Sequence, residues 1–233
     1  MTEVAANGRR PWILAIDTAT TRVVVAAGTA DGHPLESTSW EAGYRHGQTL
    51  LPEIGRLTGR ADLRRSRLDA IVVGTGPGAF TGLRVGIATA KALAHGLARP
   101  LVGVSTAEAL LEAAAADVPA GTVLALLVPA GPSDRVLVEG GKPPRLLPGG
   151  TEPQLEPATV LLAVDLDGRA PPEALDLGEI ARAGLGEALL RLGARRLAAG
   201  SPDDLARLVP EYVTLPRGVQ AAGGEVTWSR GPR

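Results

Sequence analysis

The 233-residue chain contains no cysteine, which removes a disulfide framework, thiolate metal sites and a cysteine nucleophile together. Aromatic residues make up only 3%: three Trp, two Tyr and one Phe. A base-stacking surface of the kind that grips single-stranded nucleic acid is therefore not expected. Lysine is almost absent, with Lys91 and Lys142 alone among the 24 basic residues. The heavy use of Arg, Ala, Gly, Pro and Leu reads as the bias of a GC-rich genome rather than as chemistry. An excess of either charge is also missing, because 24 basic residues meet 25 acidic ones for a net charge of −1. Neither bulk electrostatic binding of nucleic acid nor an acidic solvating tail fits that balance. No apolar run approaches the roughly 18 to 20 residues that span a bilayer, and Thr2 to Arg10 is a polar lead with no secretory apolar segment behind it. The expectation is a soluble, cytoplasmic protein that associates with no membrane.

Hydrophobic residues at 45% and charged residues at 21% are enough for a real core, and Gly 30 with Pro 19 promises many loops. Trp12 to Ile16, Val23 to Ala27 and Leu35 to Trp40 read as three strands in an antiparallel meander, the last after the Asp31-Gly32 hairpin signal. Leu50, Leu51, Ile54 and Leu57 recur at helical spacing between His46 and Leu57, with Pro52 discordant inside the run. Ala70 to Val73 reads as a buried strand, Gly74 to Gly78 as a loop, Thr81 to Leu97 as a helix of small residues, and Leu101 to Val104 as a strand. Ser105 caps an Ala-rich helix that runs to about Ala116, with Glu108 at the capping-box position.

Asp117 to Gly121 reads as a linker. Beyond it, Val123 to Val128, Val136 to Glu139 and Val160 to Val164 are expected strands, and residues 129–158 carry the weakest pattern. Leu185, Leu189, Leu192 and Leu197 mark a helix that Gly200 ends, and Ser201-Pro202-Asp203-Asp204 predicts the start of another short helix. Two unequal α/β lobes follow, residues 1–117 and 118–218, with 219–233 a frayed tail. An N-terminal meander feeding a sheet that continues with helix crossovers suggests the actin/Hsp70/sugar-kinase layout.

Gly74-Thr75-Gly76-Pro77-Gly78-Ala79 lies between a strand and a helix, where Gly-x-Gly-x-x-Ala can mark a dinucleotide site. That reading is disfavoured, because His95, Gly96 and Leu97 stand where the ribose-binding acid belongs, and no Gly-Lys-Ser/Thr occurs for a P-loop. Tight turns and close helix approach are the plainer use of these glycines. Gly82, Gly86, Ala90 and Ala94 recur every four residues as a stripe of small side chains. It fits close packing equally well against another protein's helix or against this chain's own sheet.

Together these runs are distinctive. Ile13 to Thr20, His46 with Leu50-Leu51-Pro52, Gly74 to Gly86 with Phe80-Thr81-Gly82-Leu83-Arg84 inside it, Ala88 to Lys91, and Leu101 to Ser105 closely resemble the TsaB (YeaZ) family, glycoprotease-like proteins of tRNA modification. The likeness covers residues 12 to about 112 well, and Pro210-x-Tyr212 is similar to a C-terminal element of that family. The second lobe departs from it: Val128-Pro129-Ala130-Gly131 stands where the family has an Asp-Ala-Arg-Arg turn.

The resemblance implies an actin-like ATPase fold of the RNase H-like class. It also implies a place in making N6-threonylcarbamoyladenosine at position 37 of ANN-decoding tRNAs. The implied role is non-catalytic: the chain partners a TsaD-like transferase, a TsaE-like ATPase joins the assembly, tRNA meets the chain only through the complex, and the free chain is a candidate homodimer. No cofactor of its own is implied, and nucleotide at the joint with the partner stays open. By the same resemblance the partner interface comprises His46, Leu50, Leu51, Ile54, Gly82, Leu83, Gly86, Ile87, Ala90 and Lys91. Not all of them can face outward, since each helix must also cover the core. The family motif loop comprises Gly74, Gly76, Pro77, Gly78, Phe80, Thr81 and Arg84, and Asp17, Thr18 and Thr20 stand where a vestigial phosphate loop would lie.

The residues themselves favour the non-catalytic role. Asp17 is followed by Thr18-Ala19, where an ATPase of this class needs glycine for backbone to approach phosphate, so Asp17 reads as a turn-capping residue. His33, His46 and His95 are isolated, and His46 has Leu50 rather than a second histidine four residues on. Ser105 lacks the Gly-x-Ser-x-Gly setting of a hydrolase. Two other readings remain: an autonomous small-molecule kinase or ATPase of the same superfamily, and a metallopeptidase, which the missing paired histidines disfavour.

Overall fold

A computed structural model describes residues 11–41, 43, 46–211 and 213. The polar lead from Thr2 to Arg10, Tyr212 of the C-terminal element and the 219–233 tail lie outside the described residues, as does the side chain of His46.

The meander forms as its pattern demands. Strands β1 (Trp12–Asp17), β2 (Arg22–Thr29) and β3 (Pro34–Glu41) pair antiparallel in sequence, and β4 (Leu68–Gly74) and β5 (Leu101–Val104) add in parallel to give the order β3-β2-β1-β4-β5. Period-two alternation sorts the side chains of this sheet onto two faces. Leu14, Ile16, Val23, Val25, Ile71 and Val73 face helices α1 (His46–Arg60) and α2 (Phe80–Leu97); Ile13, Ala15, Val24, Ala26, Ala70 and Val72 face the opposite way. Both faces are buried, so these strands read as continuous apolar runs. Pro52 sits on the exposed side of α1, where the carbonyl it leaves without an amide partner can be hydrated. Helix α3 (Thr106–Ala114) begins at Ser105, whose hydroxyl accepts the Glu108 amide at 3.5 Å, as the capping box predicts.

The second sheet has the order β8-β7-β6-β9, from β6 (Leu124–Pro129), β7 (Arg135–Glu139), β8 (Arg145–Leu147) and β9 (Val160–Ala163). It repeats the first sheet's logic, two antiparallel hairpin steps and then a parallel addition on the inner edge, without a helix between its third and fourth strands. This duplicated topology bears out the expected actin-like α/β architecture. The three-residue β8 falls in the stretch whose pattern was weakest.

Helix α4 (Pro172–Ala198) is longer than the sequence suggests, because its first half has no apolar stripe. The reason is tertiary: α4 is covered on several sides rather than one. A Cβ on Gly178 would overlap the Ala163 backbone of β9, one on Gly184 would stand 3.1 Å from Ala113 of α3, one on Gly186 3.1 Å from Val24 and Ala26, and one on Gly193 would press into Val72. Glycine lets the helix approach both sheets and α3 at once, and the core between the sheets includes Val24, Val72, Leu110, Leu126, Leu162, Leu185 and Leu189. Gly200, at φ +68°, ends the helix. The short helix expected after Ser201 is not formed. A single turn at 205–207 is all that appears, because Asp203 is drawn out along β5 by its amide and its carboxylate.

Candidate functional site

In open α/β sheets, ligand chemistry concentrates at the carboxyl ends of the parallel strands. Here those ends carry Asp17 on β1, Gly74-Thr75 after β4 and Ser105-Thr106 after β5. Asp17 is fully buried. Its Oδ1 accepts the Ala19 amide at 2.8 Å, and its Oδ2 accepts the Thr106 hydroxyl at 2.7 Å. Thr106 Oγ1 in turn accepts the Gly76 amide at 3.1 Å. Burial pushes the Asp17 carboxyl up to about 6; the Thr106 and Ala19 hydrogen bonds pull against that rise, and the charge of Asp165 adds to it.

The rest of the β1–β2 turn is tied to the start of α2. Thr18 donates to the Gly82 carbonyl at 2.7 Å, the Ala79 amide reaches the Ala19 carbonyl at 2.7 Å, and Thr20 closes onto Arg22 at 2.7 Å. The motif glycines are where these groups meet. Side chains on Gly74, Gly78 and Gly86 would overlap Asp17, Ala19 and Thr18 respectively, and Gly76 holds φ +109° ahead of a cis bond to Pro77. Phe80 is half-buried with the guanidinium of Arg84 3.8 Å from its ring centroid, and Thr81 and Arg84 are exposed. The family motif is thus a close-packing device that joins a turn to a helix, with the Gly76 and Ala79 amides bonded to Thr106 and Ala19 within the chain.

On the outer layer the expected interface residues divide. Leu50, Ile54, Gly82, Leu83, Gly86, Ile87 and Ala90 are buried and cover the first sheet. The small-residue stripe packs against this chain's own β1–β2 turn and sheet rather than offering itself outward. Leu51 is 53% exposed and Lys91 is half-buried, so these two remain at the surface. His46 opens α1. Pro52, Gly55, Ala88 and Ala92 are also exposed on the same two helices. Beside them lies an apolar groove of about 310 Å³ whose lining includes Trp12, Leu51, Ile54, Gly55, Leu93 and Leu97.

A second feature had no sequence signal beyond an Asp167-Gly168 turn. Asp165, at φ +57°, reaches from the β9–α4 loop to the β1–β2 turn and accepts both the amide and the hydroxyl of Thr21 at 2.7 Å. Arg182 of α4 pairs with Asp165 at 2.6 Å and donates to Thr21 at 3.1 Å. Glu41, Asp167 and Glu179 complete an acidic cavity of about 390 Å³ between the two sheets. Among the described residues no group of three or more His, Cys, Asp or Glu is arranged to hold a metal ion, and no helix is long and apolar enough to cross a membrane.

The duplicated sheets around a shared helical layer are the architecture of the actin-like ATPase superfamily. A family model described as "TsaD: tRNA N6-adenosine threonylcarbamoyltransferase" matches residues 40–172, and the chain belongs to this family, in its TsaB (YeaZ) branch. The solved structure of YeaZ from Pseudomonas aeruginosa superposes with a TM-score of 0.68 at 26% identity, covering 87% of this chain and all of that one. An uncharacterised protein of Mycobacterium leprae is 43% identical over 102 residues, 42% of this chain and 28% of its own length. The Escherichia coli protein named tRNA threonylcarbamoyladenosine biosynthesis protein TsaB is 40% identical over 97 residues, 40% of each chain. These alignments therefore span less than half of the curated relatives' length.

Proposed function

We propose that the chain is a non-catalytic cytoplasmic subunit of the machinery that makes N6-threonylcarbamoyladenosine in tRNA, and that it binds and supports a TsaD-like transferase. The observation that carries this reading is the occupation of the strand-end site by the chain's own groups. Asp17 is buried under Thr106 and its own turn, and the start of α2 is bonded to Ala19 and Thr18. A phosphate would have to displace all of them. What the chain offers instead is a surface. Leu51, Pro52 and Gly55 on α1 and Ala88 and Ala92 on α2 form an uncharged, small-residue face suited to close packing against helices of a partner. Arg84 and Lys91 border it.

On this reading the free chain pairs with itself through the same face, a TsaE-like ATPase joins the complex rather than this subunit alone, and tRNA is contacted through the assembly. Two measurements test it. Deleting the gene should remove the modified adenosine from bulk tRNA, as read by mass spectrometry, and this chain should restore it. Leu51→Arg with Ala88→Arg should abolish co-elution with the TsaD-like partner while the circular dichroism spectrum stays unchanged. Undiminished modified adenosine in the deletion strain would overturn the function, and undiminished co-elution the interface.

A further inference from the structure

The even charge balance of the whole chain conceals an uneven distribution. From Arg56 to Arg67 there are five arginines and one carboxylate, Asp62, a local charge of +4 in a chain whose total is −1. Composition bias accounts for arginine in place of lysine, but not for its concentration in this one stretch.

The fold gathers these side chains at one end of the molecule. Helix α1 ends at Arg60, and the chain then passes through a 3-10 turn, Arg65–Arg67, into β4. The turn is held in shape from within: the Trp12 indole N–H donates to the Arg64 carbonyl at 3.0 Å, and the Arg67 amide donates to the same carbonyl at 2.9 Å. Arg99, just beyond the end of α2, donates to the Ser66 carbonyl at 3.4 Å, which brings its guanidinium to the same turn. The negative ends of the α1 and α2 dipoles offset part of the repulsion among these like charges.

Their charge is unspent. Arg64 and Arg65 are exposed and Arg67 and Arg99 half-buried, and none of the four pairs with a carboxylate among the described residues. The Nε of Arg99 is buried without a hydrogen-bond partner. At the margin of the cluster Arg56 pairs with Glu53 and Arg60 with Glu36, and on α4 Arg191 and Arg195 both pair with Glu112.

We infer that Arg64, Arg65, Arg67 and Arg99 form a phosphate-contacting patch through which this chain adds to the grip of the assembled complex on tRNA. That role rests on the function proposed above, which brings a tRNA to the complex. Arg65 also lines the apolar groove together with Leu51 and Gly55, so the patch begins where the face offered to the transferase ends. A nucleic-acid backbone is the fitting occupant, because guanidinium groups present paired donors that match phosphate oxygens. Backbone contacts need neither stacking aromatics nor an excess of charge over the whole chain. An acidic protein segment fits less well, since the centres of protein interfaces are depleted of charge.

The test titrates an unmodified ANN-decoding tRNA against the complex of this chain with its TsaD-like partner, at several salt concentrations. Combining Arg64→Gln, Arg65→Gln and Arg67→Gln should weaken binding by about tenfold at low salt and reduce the slope of log affinity against log salt by about two, while co-elution with the transferase and the melting temperature stay unchanged. Lysine at the same three positions should keep most of the slope, which separates charge from the shape of the turn. Arg191→Gln with Arg195→Gln, which removes charge from α4 instead, should leave the slope as it was. An unchanged tRNA affinity and slope in the triple glutamine variant overturns the patch, and an equal fall in the α4 variant assigns the effect to net charge and overturns it too. Loss of co-elution with the tRNA slope intact would make the turn a contact for an acidic protein surface and overturn the RNA assignment. A parent chain that does not join the transferase overturns the proposed function instead; the same titration of the isolated chain, parent against triple variant, then decides the patch.

Discussion

Gly74 faces the carboxylate of Asp17 so closely that a methyl group on the glycine would overlap Oδ2 and stand 2.8 Å from the Thr106 hydroxyl. Gly74→Ala should therefore destabilise the protein by about 2 to 3 kcal/mol, as overpacking beside a buried polar cluster does. The same substitution at Gly55, in the middle of α1 with nothing within 4 Å, should stabilise by up to about 1 kcal/mol through helix propensity. Urea unfolding of both variants checks the opposite signs.

Asp17 also sets a pH dependence. Its carboxyl is raised from 3.8 to about 6 in the fold, so the folded state holds a proton that the unfolded chain releases. The contribution to stability is complete below pH 3.8 and is lost as pH rises through about 6. Each tenfold change in proton affinity is worth about 1.4 kcal/mol, so the loss amounts to about 3 kcal/mol. Asp17→Asn cannot ionise. Its stability relative to the parent should rise across that window and level off above it, which unfolding titrations from about pH 4 to about pH 7.5 would show.

Asp165 lies upstream of that titration, since its charge raises the Asp17 carboxyl. Asp165→Asn keeps an acceptor for Thr21 and removes the charge. The midpoint of the Asp17 transition should then move to lower pH. Tracking the Asp17 carboxyl by NMR measures it directly, and a midpoint unmoved or displaced upward would contradict the coupling.

Ile87 and Ala88 are neighbours on α2 with opposite environments: Ile87 is 4% exposed, whereas Ala88 is on the surface. Arginine at position 87 puts an unpaired charge into the core and should cost several kcal/mol, enough to threaten folding. At position 88 the change should stay within about 0.5 kcal/mol. Melting temperatures of the two variants give the contrast. Loss of partner binding is consequently interpretable at Ala88 and Leu51 and uninformative at Ile87.

The first hundred residues were legible because their signals are local or periodic. Short apolar runs and helical spacing announce β1 to β5 and α1 to α3, and Ser105 with Glu108 announces a cap. The Gly74 to Gly86 run, with its fixed glycines and Phe80-Thr81, was enough to recognise the family. The second half was less so, because β8 is three residues long and the first half of α4 shows no stripe in a helix surrounded by two sheets and α3. Linear pattern reports one buried face well and several buried faces poorly.

For the candidate sites the division follows the same physics. That the chain lacks thiols, clustered histidines and excess charge was settled by composition, and with it the kind of chemistry that could be expected. Which of Leu50, Leu51, Ile87 and Ala88 meets the core and which meets solvent depended on how α1 and α2 are rotated over the sheet. The burial of Asp17 under Thr106, 89 residues away in sequence, the Asp165 clip on Thr21 and the cover that Asp203 makes over Gly103 depended on elements that only folding brings together. Residue types fix what a group can do in isolation. Its neighbours, and the water they exclude, fix whether it carries a charge, packs a core or faces a partner.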